Sequence, residues 1–283
     1  MVTFTAHNIR LDDGTYTKPE GGISTATNPT FKSAKRVLDL AFPGSKTGLT
    51  IADLGCLEGG YSVEFARLGF ETLGLDVREQ NIEACRYVQS RVSLPNLNFA
   101  RDDVWNIAKY GPFDAIFCCG LLYHLDKPKQ FLEAVSAATK KVAILQTHFS
   151  RDSSSTRFFS MFPTLAMKAV ARVTGFRPDK FHLSRMTENE GLRGQWFMEF
   201  PEEKTFSKRE SMKWASWDNR QSFWVQREYL LQAIRDVGFD LVMEQFDHLG
   251  PQIADNMLRG YYHTDRRGTF VGIKTTAAPP AGR

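Results

Sequence analysis

The 283-residue chain has few cysteines, no long apolar run and almost no net charge. Its four cysteines (Cys56, Cys85, Cys118 and Cys119) do not make a disulfide framework, and no Cys/His spacing suits zinc. No metal site is expected. No apolar stretch approaches the roughly 18–20 residues that cross a bilayer, so no membrane-spanning helix is expected. The opening MVTFTAHNIRLDD lacks a basic start followed by an apolar run, which argues against a secretory leader and makes a reducing cytoplasm the simplest home. There is no internal repeat. The 36 basic against 32 acidic residues leave +4, too small an excess to imply a nucleic-acid binder.

The composition is that of an ordinary globular protein, with 42% hydrophobic and 24% charged residues. From about residue 49 to 147, short apolar runs alternate with longer amphipathic ones. Strands are predicted at Leu49–Leu54, Glu71–Asp76, Asn98–Arg101, Phe113–Cys118 and Val142–Gln146. Helices are predicted between them at Gly59–Leu68, Arg78–Val92 and Lys129–Thr139. That rhythm describes βαβ units and a parallel sheet covered on both faces. It breaks after residue 147, where the clearest helical pattern is Thr156–Val173. It returns with a helix at Val225–Val237 and strands at Asp240–Gln245 and Thr269–Lys274. The expected division is therefore an arm and lead helix (1–48), a core (49–147), an insertion (148–224), the rest of the core (225–276) and a frayed tail (277–283).

The richest segment is LTIADLGCLEGGYSVEFARLGFETLGLDVRE. An apolar strand runs into Asp53-Leu54-Gly55-Cys56-Leu57-Glu58-Gly59-Gly60, and a helix follows directly. Glycines there allow a tight turn and bring a ligand against main-chain amides. The spacing fits neither the G-x-G-x-x-G dinucleotide fingerprint nor a phosphate loop ending in G-K-[ST]. The second strand ends in Asp76, placed to accept from both hydroxyls of a ribose. A third ends at Asp102-Asp103, where a carboxylate can accept from an adenine amino group. An amino-acid part, a ribose and an adenine together describe S-adenosylmethionine. Singly, Asp53 and Asp76 read equally well as caps of the turns that follow them. The cysteines read as small buried residues rather than nucleophiles.

With these motifs in order, Ile51 to about Thr147 resembles the cofactor domain of class I S-adenosylmethionine-dependent methyltransferases. The first motif of that family matches Asp53, Gly55 and Gly59, the second Asp76, and the third Asp103 in preference to Asp102. The fourth matches Phe113-Asp114 through Gly120 and continues as Leu121-Leu122-Tyr123-His124-Leu125. The resemblance implies a Rossmann-like α/β fold: a seven-stranded sheet with its last strand antiparallel, helices on both faces and a lid-like insertion. It implies S-adenosylmethionine as cofactor and S-adenosylhomocysteine as product. The implied contacts are Asp53, Gly55, Cys56, Gly59, Asp76, Val77, Asp103, Val104, Cys119 and Gly120. Cys56-Leu57-Glu58 departs from the family in being bulkier than the small residues often found there.

Methyl transfer is an in-line displacement that positioning alone promotes strongly, and a base is needed only when the acceptor arrives protonated. The Gly-x-Leu-Tyr-His run resembles that of bacterial enzymes modifying the wobble uridine of tRNA. By that resemblance Tyr123 lies beside the transferred group. His124 can act as a base or simply cap the next helix, and His148 has the same two readings. The stretch from His7 to Thr17 also resembles that subgroup, which makes Tyr16 and Thr17 part of a cover over the cofactor, or of an exposed arm.

The insertion carries the charge excess: residues 150–230 hold 14 basic and 10 acidic residues, leaving the rest of the chain neutral. Phe158, Phe159, Phe162, Leu165, Ala166, Ala169 and Val170 form an apolar stripe at helical spacing, suited to packing on the core. The stretches Glu188–Glu199 and Ser216–Trp224 read as polar-aromatic lid loops, with Glu190, Arg193, Trp196, Trp217 and Trp224 as substrate contacts, or as exposed loops anchored by tryptophan. The leading expectation is methylation of an O, N or S atom on a small polar molecule, anionic ones included. The alternatives are a tRNA wobble-uridine enzyme and a non-catalytic S-adenosylmethionine-binding protein.

Overall fold

The structure, a computed structural model, describes residues 2–151, 183–200, 206–246 and 267–275. Helix α1 spans Pro29–Ala41, with Asn28 capping it by accepting from the Thr30 amide. Then follow β1 (Thr50–Leu54), α2 (Gly60–Arg67), β2 (Glu71–Asp76), α3 (Glu79–Gln89), β3 (Leu97–Arg101), β4 (Phe113–Cys119), α4 (Pro128–Ala138) and β5 (Thr139–His148). Beyond them lie β6 (Thr187–Asn189), β7 (Leu192–Met198), α5 (Phe206–Ser211), β8 (Gln221–Val225), α6 (Arg227–Asp236), β9 (Leu241–Gln245) and β10 (Arg267–Ile273). The helix read at Thr156–Val173 and the tail from residue 276 lie outside the described residues.

Seven strands form one sheet in the order β3-β2-β1-β4-β5-β10-β9, and β10 runs antiparallel to both of its neighbours. The central strands read as unbroken apolar runs because both of their faces are covered. Alternation assigns the sides. Ala115 and Phe117 of β4 pack with Phe31 and Leu38 of α1 and with Phe65 of α2. Ile116 and Cys118 pack with Phe131 and Val135 of α4 and with Ile234 of α6. The order reverses between β1's two neighbours, β2 and β4. The C-terminal strand ends there form the crevice where open α/β sheets hold ligands.

Two segments differ from the sequence expectation. The stretch read as lid loops folds into a second antiparallel sheet, β6-β7-β8. Its first turn is Glu190-Gly191, with φ of 53° and 76°; two successive left-handed residues make the tight hairpin turn whose twist matches the strands. Gly191 is thus a turn residue. The helix expected from Val225 begins at Arg227, because Phe223, Trp224 and Val225 are buried in β8.

Candidate active site

The glycine turn after β1 is pinned to β2: the Gly55 and Cys56 amides both donate to the Leu75 carbonyl, each at 2.9 Å. Gly55 and Leu57 reach the crevice. Gly59 does not border it. Its φ of 77° starts α2, and a side chain there would sit 2.6 Å from the Phe99 ring and 3.1 Å from Cys85 Sγ. Cys56 also faces inward, buried against Cys85, and burial raises its thiol well above the usual value. Gly59 and Cys56 therefore shape the turn from behind and do not border the cavity.

Three carboxylates border the cavity. Asp53 accepts from Ser62 Oγ at 2.6 Å, and burial still pushes its carboxyl up to about 7. Asp76 accepts from the Leu57 amide, the Arg78 amide and Asn81 Nδ2 at 2.9–3.0 Å, and burial raises it as well. Asp103 caps the short turn at Val104–Lys109 through the Trp105 amide, and burial raises it too. Capping and facing the cavity are compatible here. Asp102 instead is engaged by Asn106 and Tyr110. Val77 and Val104 lie beside these carboxylates on the wall, with Trp105.

Cys119, Gly120, Tyr123, His124 and Arg267 also border the cavity. A short turn at Leu122–His124 carries the aromatic pair. His124 Nδ1 lies 2.7 Å from Glu199 Oε1. Glu199 is buried and also accepts from Ser222 Oγ at 2.8 Å and from the Ser216 amide at 3.2 Å. The Tyr123 ring meets His148 edge-on at 4.4 Å, and burial raises its phenol. Gln146 Oε1 receives both Cys119 Sγ and the Arg267 guanidinium.

Two distant segments cover this wall. The N-terminal one is held by Glu58, a fully buried carboxylate that accepts from the amides of Thr5, Ala6 and His7 and from the Thr5 hydroxyl at 2.7–3.0 Å. Burial alone would raise Glu58, but these donors hold it below the usual glutamate value. His7 Nδ1 accepts from the Gly60 amide at 3.0 Å; burial lowers His7 to about 4, so the ring is neutral at pH 7. The second cover is residues 213–218. The Arg78 guanidinium donates to the carbonyls of Arg209, Met212 and Ala215 and lies 5.4 Å over the Trp217 ring. Glu210 accepts from the Glu79 and Gln80 amides at the start of α3. Lys213 Nζ reaches Glu58 at 3.3 Å and joins the covers. Wall and covers enclose about 450 Å³.

Several expected contacts lie elsewhere. Tyr16 bridges to Arg10 on the surface, and it is Thr5–His7 that reaches the cavity. His148 sits behind Tyr123, stacked on Trp224 at 4.8 Å, and Trp224 stacks on Phe197 at 5.0 Å on its own sheet. Trp196 packs edge-on to Phe223, Glu190 accepts from the Lys129 and Gln130 amides, and Arg193 stands opposite Glu188 in the backbone register of β6 and β7. These side chains build the small sheet and its seat on the core. Trp217 alone of the five expected substrate contacts borders the cavity, on the Arg78 side.

Sequence reasoning did not single out Glu58, Arg78, Glu199 or Lys213 as site residues, since their partners lie far along the chain. Glu58 had one signal, its bulk in a turn that usually holds small residues. Among the described residues no cluster of three His, Cys, Asp or Glu could hold a metal, and no helix is long and apolar enough to cross a membrane.

A family described as "Methyltransferase domain" matches residues 51–142. The chain is 28% identical over 95 residues to the ubiquinone biosynthesis O-methyltransferase of Proteus mirabilis (strain HI4320), a match covering 33% of this chain and 38% of that protein. It is 29% identical over 99 residues to the enzyme of the same name from Caulobacter vibrioides (strain ATCC 19089 / CIP 103742 / CB 15), covering 35% of this chain and 39% of that one. The chain thus matches less than half the length of these curated relatives. Among solved structures, the N-terminal domain of EvdMO1 in the presence of SAH and D-fucose aligns with a TM-score of 0.57 at 21% identity, covering 87% of this chain and 83% of that chain. An S-adenosylmethionine-dependent methyltransferase from Clostridium acetobutylicum ATCC 824 aligns at 0.52 with 13% identity, covering 90% and 93%. At these identities the structural likeness is one of fold.

Proposed function

We propose that the chain, whose residues 51–142 match a methyltransferase domain, is a class I S-adenosylmethionine-dependent methyltransferase that moves the cofactor's methyl group to an oxygen of a small polar molecule. The observation that carries this reading is one cavity bordered both by the Asp53/Asp76/Asp103 carboxylates and by Tyr123 and His124. The residues fit the cofactor. Asp76 and Asp103 are acceptors for ribose hydroxyls and an adenine amino group, Asp53 for an ammonium, and Val77, Val104 and Trp105 offer apolar surface to a purine. All three carboxylates have burial-raised values, the mark of acceptors that gain from an incoming donor.

When bound, S-adenosylmethionine supplies a methyl group already activated by the sulfonium charge. The protein's part is to hold the acceptor in line, exclude water with Thr5–His7 and residues 213–218, and receive a proton where one must leave. Tyr123 is a neutral phenol at the cavity, able to donate a hydrogen bond to a polar acceptor. Similarity to ubiquinone biosynthesis O-methyltransferases supports oxygen as the acceptor atom.

Methyl-tritiated cofactor, incubated with the purified chain and a bacterial extract split into small-molecule and RNA fractions, tests this. Label in the small-molecule fraction is expected, as alkali-stable ether or alkali-labile ester. Label in tRNA would move the acceptor to the wobble-uridine alternative, and label in neither would favour a binding protein without catalysis.

A further inference from the structure

The contacts of Glu199 bear on which kind of oxygen is methylated. We propose that Glu199 is a positioning residue that fixes His124 in the form able to take a proton from the acceptor, so that the acceptor is a neutral hydroxyl and not a carboxylate. This rests on the methyl-transfer reading and adds to it the acceptor's protonation state.

The argument is one of donors and acceptors. Glu199 comes from the end of β7, 75 residues from His124 in the chain, and is 3% exposed. Its Oε2 faces the Ser216 amide, which can only donate, and its Oε1 receives Ser222 Oγ. An ionised carboxylate has no hydrogen to offer. If His124 Nδ1 carried a lone pair, two acceptors would face each other at 2.7 Å. Nδ1 therefore carries the hydrogen, and in the neutral ring Nε2 is left as the basic nitrogen on a residue that borders the cavity. The backbone is held as well. The His124 amide donates to the Leu121 carbonyl at 2.8 Å, and Asn219 Nδ2 donates to the His124 carbonyl at 2.9 Å. Such rigidity exceeds what a helix cap requires.

Among the described residues, three other charged or titratable side chains adjoin the pair. Arg78 reaches the Ser216 carbonyl from the start of α3, Tyr123 adjoins the imidazole with ring centres 4.2 Å apart, and His148 stands behind Tyr123. A carboxylate acceptor is already ionised at neutral pH and needs no base. A phenol or alcohol does. Its proton passes to His124 Nε2, the oxygen pair forms the new O–CH3 bond, and the C–S bond breaks with its pair going to sulfur. The resulting imidazolium is held beside the Glu199 carboxylate and gives its proton to solvent after release.

The decisive experiment is ¹⁵N NMR of the full chain with labelled histidine, read in the neutral state and assigned with His124→Gln. The expected spectrum shows His124 protonated at Nδ1. Glu199→Gln places an amide NH2 against the donors at Ser216 or Ser222 and should mix the two neutral forms, while S-adenosylhomocysteine affinity stays within threefold. A wild-type ring protonated at Nε2, or a spectrum that Glu199→Gln leaves unchanged, overturns the assignment even if the variant is poorly folded. With the acceptor found by tritium transfer, Glu199→Gln should lower kcat about 10–100-fold with KM little changed. Glu199→Asp should recover part of the loss, and the deficit should shrink at high pH as the hydroxyl ionises unaided. An unchanged pH profile, or label recovered as a methyl ester, contradicts the hydroxyl assignment. Failure to bind S-adenosylhomocysteine at all would instead remove the methyl-transfer premise.

Discussion

Asp76 borders the cavity and Glu58 holds the N-terminal segment that covers it; both are buried carboxylates, 18 positions apart in the chain, and their electrostatics run opposite ways. Asp76 takes its hydrogen bonds from Leu57 in the turn after β1 and from Arg78 and Asn81 at the start of α3, and burial still leaves it raised. Glu58 takes three amides and a hydroxyl from residues 51–53 positions away, and Lys213 from 155 away, and is held low. A raised carboxylate at a cavity wall gains from a further donor, as a ribose would provide. A lowered one already has its donors and acts as a clasp. The wall gains from a further donor, and the covers are tied down.

The largest expected effect tests the wall. Asp76→Ala should weaken S-adenosylhomocysteine binding about 100-fold, near 3 kcal/mol for lost hydrogen bonds to a charged acceptor, as measured by calorimetry. Unchanged affinity would shift ribose recognition to another residue. Next comes the clasp. Glu58→Gln presents an amide NH2 to a ring of donors and should cost about 2 kcal/mol of stability, with faster hydrogen exchange at Thr5–His7. If exchange there does not change, Glu58 is not what holds the arm. Because Glu58 is depressed, its stabilisation is present above the ordinary glutamate value and is lost as pH falls through its lower folded value.

A smaller effect separates Asp53 from both. Its value near 7 means that its proton must leave before it can receive an ammonium. Affinity for S-adenosylhomocysteine should therefore rise several-fold between pH 6 and 8, and Asp53→Asn should flatten that rise. In the ligand-free chain the sign is reversed. The stability linked to Asp53 is full below its ordinary value near 3.8 and is lost as pH rises through about 7. Smallest of all, Tyr16→Ala should change affinity less than twofold, since Tyr16 is bridged to Arg10 away from the cavity. A large loss there would make the arm more than a cover.

The same contrast explains what could be read from the sequence. Asp53, Gly55, Asp76, Asp103 and Gly120 stand at or just past strand ends, where a short apolar run followed by a turn fixes position locally, and the structure brings all five to one cavity. The parallel strands β1 to β5 follow from the same βαβ rhythm, whereas the antiparallel β10 is implied only by the family resemblance. Glu199 and Arg78 belong to the site only through a fold that brings β7 and residues 209–216 over the strand ends, and no spacing encodes that. The aromatic loops misled for a related reason. Trp196-Phe197-Met198 and Phe223-Trp224-Val225 are short apolar runs that suit strands, but the charges around them and the Glu190-Gly191 turn made them look like a lid.

The central claim is that this cavity holds S-adenosylmethionine, and the most direct test is calorimetric titration of the purified full chain with S-adenosylhomocysteine. One-to-one binding at about micromolar affinity or tighter, equivalent to roughly −8 kcal/mol, is the predicted result. Absence of binding at millimolar ligand would contradict it.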